Sequence, residues 1–535
     1  MNSFFRRYGD LSLTFLLVAL FLVLAFPHLQ EPGPYYDEVY DAGIVVDRFF
    51  SELPQIPLST FSFLGLRIPW STNGFTGVLK TYLLIPVFLI FGPSVFAMRL
   101  TMLFAGVVNV ALTYSLARLF LRRFPALLSL LLLILDPNFV FETRMDWGPS
   151  VLSYFFRVAG CFYLIRGWGG KKRVKIVLSF FLFLLGIYNK ITFHLFLLPF
   201  CVTLLLFFWN DIRREFKEQT FPGGILLFFF IMASVITLGY FFRLPFDTFP
   251  HRSILQRGTL FFQFLKGRLM IRQVLGMKTA EGIGETFFFP LFLLTFLATW
   301  GYPFSAGVQK SFKREKGFLT LLVLLMLFLL FLVPGVRYGC HFFLLYPLPH
   351  LTAGFLIQAF LAEASSQGSR KRLAVCILSI YLTFVFIAAG SGILVIQKSI
   401  RLFAQTGGRG FWSDAIYDLG EYLTKQGKRE VVCLDWGFQR NLLVVTKGKI
   451  RFLEPFWPWI IEGKDPKGDL QKLFSEPGKV FLLHEEPFTK LVKVSQIQAW
   501  ARETGYDLRM TKTFYQKTGE AVFSVYVASP HVSSH

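Results

Sequence analysis

The run "VLKTYLLIPVFLIFG", Val78 to Gly92, decides how the rest of the chain is threaded. It is apolar enough for a membrane, but it contains Lys80 and Pro86. An upright helix needs roughly 20 residues to cross a hydrocarbon core of about 30 Å, and this run is shorter. Parity supplies the test. If the run lies flat, then Arg122/Arg123, "KKRVK" at 171–175, "RR" at 213–214, "KSFKREK" at 310–316 and "RKR" at 370–372 all fall on the side of Arg6/Arg7. If it spans, all five clusters change sides. Short cytoplasmic loops collect Lys and Arg, so the run reads as an interfacial helix.

Outward from this helix, apolar runs predict spans at roughly 11–28, 96–120, 124–142, 149–168, 174–188, 191–209, 222–242, 286–306, 317–335, 340–362 and 373–396, about eleven in all. The composition agrees: 54% of the 535 residues are hydrophobic, 67 are phenylalanine and only 16% are charged, against about a quarter in soluble proteins. The formal charge of +22 is accounted for by cytoplasmic loops, which removes the reason to invoke nucleic acid. Leu11 to Phe26 follows Arg6 and Arg7 like a signal peptide, but no small-residue cleavage site comes after it, so it reads as an uncleaved first span. Cys161, Cys201, Cys340, Cys376 and Cys433 form no CxxC pair and predict neither a zinc site nor a disulfide framework.

With the basic loops inside, the external face receives residues 29–95, the turn at 143–148, the turn at Asn189, the loop at 243–285, the turn at 336–339 and everything after about 397. Two acidic stretches then share a side. "PYYDEVYDAG", Pro34 to Gly43, opens a helical pattern expected to lie along the membrane surface, with Asp37 and Glu38 at its start and Asp41 as a surface charge. "ETRMDWGPS", Glu142 to Ser150, packs Arg144 and Asp146 between two spans. Paired acids beside a guanidinium suit a reaction in which one group loses a proton while another gains negative charge. Cations near the same face are Lys80, Lys190, Arg243, His251, Arg252, Arg337 and His341, the last two flanking Tyr338 in "VRYGCH". Lys190 and Arg337 lie in tight turns on a face expected to be poor in Lys and Arg, where a cationic pocket would suit a lipid phosphate.

From 399 to 535 the chain carries 19 Lys/Arg against 15 Asp/Glu, a difference of only +4, and reads as a soluble α/β domain. "DAIYDLGEYLTKQGK" and "SQIQAWARETGY" have helical patterns, whereas "EVVCLDW", "GKVFLLHEE" and "AVFSVYVA" read as strands. The expected limits are a membrane domain at 1–397, a hinge at 398–410 containing "GGRG", and an external domain at 411–535. No Walker loop, GxGxxG, GxSxG or HExxH occurs, which argues against a soluble nucleotide substrate.

The order of these features resembles the GT-C glycosyltransferases. They are an uncleaved first span, an acidic pair opening a long external loop, an interfacial helix ending "FG" before "PSVFAMRL", a second external Asp and a C-terminal external domain. Within that group the chain is similar to family 39, which includes protein O-mannosyltransferases and bacterial lipid A aminoarabinose transferases. The resemblance implies a polytopic helical membrane protein of about eleven spans plus interfacial helices. It also implies transfer of a hexose or pentose, with inversion, from a polyprenyl-phosphate donor to a lipid, glycan or protein acceptor. By position Asp37 matches the catalytic base, Glu38 its companion, and Asp146 the second-loop acid with Arg144 beside it. The lysine-proline pattern of many relatives is replaced here by "NGFTGVLKTY", which bears on Lys80 as a phosphate ligand. Lys190, Arg337, Tyr338 and His341 complete the substrate set. Relatives differ over a divalent metal, which Asp37 and Glu38 would hold here. The implied setting is a bacterial inner membrane, with the N-terminus cytoplasmic and the C-terminal domain periplasmic.

Two other readings fit a basic multispanning chain. A transporter or lipid flippase would place ionisable groups near the midplane and show repeated halves, whereas these acids gather at the outer rim and no repeat is visible. An anchoring subunit would use the Trp-rich "EPFWPWIIEG" at 454–463 for a partner, but would leave the acidic loops without a purpose.

Overall fold

A computed structural model describes residues 2–52, 56, 59–63, 66–72, 76–169, 172–218, 235, 239, 253–333, 339–366 and 370–531. The expected spans fall on helical segments with two qualifications: 124–142 is split between two helices, and 191–209 and 340–362 each open on a 3-10 segment; 222–242 lies outside the described residues apart from Val235 and Gly239. Five of the described helices are long and apolar enough to cross a bilayer, and six if one bent pair counts as a span. The chain is therefore a mostly helical, multi-pass membrane protein.

The elements that carry the site come early. They are α1 (Asn2–Ala25), α2 (Tyr36–Phe49), the hairpin β1 (Ser59–Phe63) and β2 (Leu66–Ser71), α3 (Leu79–Phe91) and α4 (Val95–Ala117). After them come α5 (Arg123–Ile134), α6 (Pro137–Met145), α7 (Ser150–Gly169), α8 (Arg173–Asn189) and α9 (His194–Glu218). At about 1.5 Å per residue, α3 is roughly 20 Å long, too short to cross upright. It buries Lys80, Thr81, Leu84 and Phe88 along one face and exposes Leu89, Ile90 and Phe91. Helices α5 and α6 meet at 59°. The bend has a chemical cause, since Pro137 stands at the first turn of α6 and the Asp136 carboxylate caps it by accepting from Asn138 N at 2.9 Å. Tyr346 Oη (2.5 Å) and His350 Nε2 (3.3 Å) reach the other oxygen of Asp136 and hold the break in place.

The long helix Arg370–Thr406 runs past the expected limit at 397, and the chain leaves it at the glycine turn. That turn is tied down: Gly33 N donates to Gly407 O (3.1 Å) and Arg409 N to Val274 O (2.9 Å). The C-terminal segment forms a mixed five-stranded sheet in the order β4-β3-β5-β7-β6, from β3 (Glu430–Cys433), β4 (Arg451–Leu453), β5 (Val480–His484), β6 (Tyr506–Tyr515) and β7 (Ala521–Pro530). β3 is parallel to both β4 and β5, and β7 is antiparallel to β5 and β6. Successive side chains alternate between faces, so Val431 and Cys433 enter one core and Val432 and Leu434 another.

The first of these cores is shared with the membrane half. It packs Val39, Val45 and Val46 of α2 with Leu84 and Phe88 of α3, Met98 of α4, and Ile416, Leu442 and Leu443 of the C-terminal segment. Helix α2 is thus not a strip on the membrane surface but a buried layer between two halves. Asp41, expected as a surface charge, is 1% exposed and accepts from Thr81 Oγ1 at 2.8 Å. The reason is local: a Cβ on Gly43 would stand 3.0 Å from Arg440 Cδ, so its absence lets helix Gln439–Val445 close over α2.

Candidate active site

Helix α2 begins where its sequence says it should. Tyr35 is extended (φ −92°, ψ 146°), its N–H donates to Glu38 Oε2 at 3.3 Å, and two acids occupy the first turn, where the helix dipole favours them. Adjacent positions on a helix point about 100° apart, and the two acids meet opposite environments. Glu38 turns inward. Its oxygens take Arg99 Nε (2.6 Å) and Nη2 (2.9 Å) in a bidentate pair, with both side chains 1% exposed. Asp37 turns toward the junction of the two halves, remains partly exposed, and accepts Trp147 Nε1 on Oδ2 at 2.9 Å. Burial raises the Asp37 pKa above its ordinary value, while the Trp147 hydrogen bond and the ammoniums of Lys190 and Lys490 oppose the rise.

Asp146 arrives from the other acidic stretch. It ends α6 in the left-handed region (φ 37°), a conformation Asp tolerates better than most residues. Its Oδ1 accepts Val151 N (2.9 Å) at the start of α7, and its Oδ2 forms an ion pair of 2.8 Å with Lys80 Nζ. Lys80 also donates to Glu38 O (3.1 Å) and Asp146 O (3.4 Å), so one fully buried ammonium pins the two acidic loops together. The two stretches meet as expected, but through Lys80 and Trp147 rather than through paired free carboxylates.

Arg144 lies 1% exposed with its guanidinium among backbone carbonyls: Ala25 O (2.5 Å), Pro27 O (2.7 Å), His28 O (2.8 Å) and Glu31 O (3.2 Å). Arg99 treats the next turn likewise, donating to Leu29 O, Gln30 O and Pro32 O at 2.7–3.0 Å. Together they fold the link from α1 to α2. Lys190 is partly exposed and donates to Gly148 O at 2.7 Å, and its backbone pairs with Thr76. His341 is partly exposed on the 3-10 segment Gly339–Leu345. The preceding Cys340 lies in the fields of Lys190, Glu142 and Asp37. Arg337 and Tyr338 lie outside the described residues, as do Arg243, His251 and Arg252.

An aromatic wall borders Asp37. Tyr35 stacks on Trp412 (4.6 Å, 10°) and meets Trp147 edge-on at 5.0 Å, while Tyr36 packs on Trp436 at 4.7 Å. Trp412 and Trp436 come from the C-terminal half. The Trp-rich 454–463 stretch is mostly structural: Trp459 is 8% exposed with Nε1 on Asp469 at 3.0 Å, and Trp457 Nε1 donates to Glu454 at 3.0 Å. Sequence reading did not single out Arg99, Trp147 or Lys490. Only Trp147, next to Asp146 in a turn expected on the external face, carried a local hint. A divalent cation fits poorly at the expected pair, since both Glu38 oxygens hold Arg99 and, among the described residues, no three His, Cys, Asp or Glu side chains gather.

Fold and comparison agree: the chain carries the GT-C fold. ArnT from Cupriavidus metallidurans in the apo state is similar with a TM-score of 0.59 and 11% identity, over 98% of this chain and 98% of that one. The same protein bound to undecaprenyl phosphate gives 0.56 and 12%, over 96% and 97%. The apo oligosaccharyltransferase of Archaeoglobus fulgidus gives 0.52 and 11%, over 95% of this chain and 70% of that one. At such identities the likeness is one of fold. More particularly, residues 77–237 match the family described as dolichyl-phosphate-mannose-protein mannosyltransferase. No curated protein matches the sequence.

Proposed function

We propose that this protein is an inverting glycosyltransferase that moves a hexose or pentose from a polyprenyl-phosphate donor to a hydroxyl of a lipid, glycan or protein acceptor, with Asp37 as general base. The observation that carries the reading is Asp37 itself, a partly exposed carboxylate oriented by Trp147 beside Lys190 where two halves meet. Support for the donor class comes from the family matched by residues 77–237 and from the fold shared with a protein solved with undecaprenyl phosphate. Positive-inside parity supports an external site, a cytoplasmic N-terminus and an external C-terminal domain.

In this reading the acceptor oxygen bonds to the anomeric carbon as its proton passes to Asp37 Oδ1, the oxygen not bound to Trp147. The bond from anomeric carbon to phosphate oxygen breaks on the opposite face, and its electron pair leaves with the phosphate. A phosphate leaving group needs a cation rather than an acid, and Lys190 has donors to spare beyond Gly148. His341, Arg337 and Tyr338 remain candidates for the same role. Glu38, Asp146, Arg144 and Lys80 act by holding the loops that present Asp37.

The test is sugar transfer by purified full-length protein offered a panel of polyprenyl-phosphate hexoses and pentoses. Asp37→Asn is expected to lower turnover at least a hundredfold with the melting temperature retained. Turnover near wild type would overturn the assignment, as would a wild-type protein that moves lipid between leaflets without breaking the glycosyl bond.

A further inference from the structure

The C-terminal half approaches Asp37 through one buried carboxylate. Asp435, fully buried just beyond β3, accepts the N–H groups of Trp436 (2.8 Å), Lys490 (3.0 Å) and Leu491 (3.0 Å), and its Oδ2 lies 2.9 Å from His484 Nδ1 at the end of β5. β3 and β5 are parallel neighbours. The carboxyl ends of adjacent parallel strands are where such sheets present ligand-binding loops. Here the two loops are locked to one hub and face the membrane half: Trp436 lies 4.7 Å from Tyr36 and 5.9 Å from Tyr35, the residues leading into Asp37.

The cations around the site are unequally available. Arg99 and Lys80 are spent on buried carboxylates, and Arg144 on backbone carbonyls. Arg440 is 5% exposed, with its guanidinium 4.5 Å over the Tyr40 ring. What remains around Asp37 among the described lysines is Lys190 from the membrane half and Lys490 from the C-terminal half, whose charges both act on that carboxyl. Lys490 has an exposed side chain and no ion pair within 4 Å among the described residues. A phosphodiester that loses its sugar goes from one negative charge toward two, and Lys190 already shares a donor with Gly148, so a second cation facing it from the C-terminal half would stabilise the leaving group further.

We propose that Lys490, carried on the Asp435 hub, binds the phosphate of the lipid-linked donor opposite Lys190, making the C-terminal domain part of the donor site. This rests on the glycosyltransferase reading and adds a phosphate ligand from the other half of the molecule. A phosphate could also belong to an acceptor, and the test separates the two. Binding of polyprenyl phosphate, without sugar or acceptor, is measured on full-length protein in nanodiscs for wild type, Lys490→Ala and Lys490→Arg, with polyprenol as the phosphate-free control and the melting temperature as the check on folding. Lys490→Ala is expected to weaken polyprenyl phosphate binding roughly tenfold to a hundredfold, the loss for one hydrogen bond to a charged group. Lys490→Arg should retain most of it, and polyprenol should not distinguish the three proteins. Unchanged polyprenyl phosphate affinity in Lys490→Ala overturns the proposal, including the case in which only the acceptor KM rises, which would assign the charge to the acceptor. A wild-type protein that fails to bind polyprenyl phosphate overturns the glycosyltransferase reading beneath it.

Discussion

Asp37 and Glu38 are neighbours in sequence and opposites in use. Nothing in a dipeptide of acids says which will turn inward, because that depends on Arg99, sixty-one residues away and hidden in the ordinary-looking "PSVFAMRL". The exposed partner was legible as a candidate base from parity and position. Its tuning was not, since Trp147 reaches it only when the two acidic loops meet. The tuning has a measurable sign. A carboxylate base works only when ionised, so turnover falls as pH drops through its pKa, which burial has already raised above the ordinary value of 3.8. Trp147→Phe removes a hydrogen bond that favours the ionised form. The acid limb of kcat against pH is therefore expected to move to higher pH in Trp147→Phe, with a smaller loss of turnover at pH 8 than at pH 6. A limb that stays in place or moves to lower pH would detach Trp147 from the base.

Helix α2 owes its position to buried charge. Glu38 satisfies one of two guanidiniums, Arg99 and Arg144, that between them collect the carbonyls of residue 25 and residues 27–32. Removing one partner of a buried pair leaves the other charged and uncompensated, which costs about 3–5 kcal/mol, whereas exposed pairs contribute little. Glu38→Ala is accordingly expected to lower stability by that amount in detergent, read as a fall in the unfolding midpoint. Removing the Lys425 side chain from its exposed pair with Glu421 should leave the midpoint unchanged. Equal small effects would mean that the pair is solvated in the working protein. At this scale the sequence was informative about where helices run, because apolar length is a local property. It was misleading about which face of α2 is covered, because amphipathic patterning does not say whether lipid or protein lies over the apolar stripe. It also passed over β4 and β6, the first only three residues long and the second with a mostly exposed face.

The molecule as a whole is joined across α2, and the joint contains an acid held near neutrality. Asn441 Nδ2 donates to Pro34 O (2.9 Å), Tyr417 Oη to Gln30 O (3.2 Å), and Tyr36 Oη to Glu454 Oε2 (3.3 Å). Burial pushes the Glu454 carboxyl up to about 7, against the pull of the Trp457 N–H, the Arg440 charge and the hydrogen bonds from Gln439 and Tyr36. A carboxyl whose pKa in the folded state lies above its usual 4.5 binds protons more tightly folded than unfolded. Its contribution is fully present below about pH 4.5 and is lost as pH rises through about 7. The docking of the C-terminal half should therefore loosen between pH 5 and 8. Full-length wild type is expected to show a melting temperature that falls across that window, and Glu454→Gln, which keeps the neutral shape, should flatten the slope while matching wild type at pH 5. Because Tyr36 precedes Asp37 and leans on Trp436, protease cleavage at the 407–410 turn should follow the same profile, rising with pH in wild type and not in Glu454→Gln. Parallel slopes in the two proteins would remove Glu454 from the joint and leave the shared apolar core of α2 as what holds the halves together.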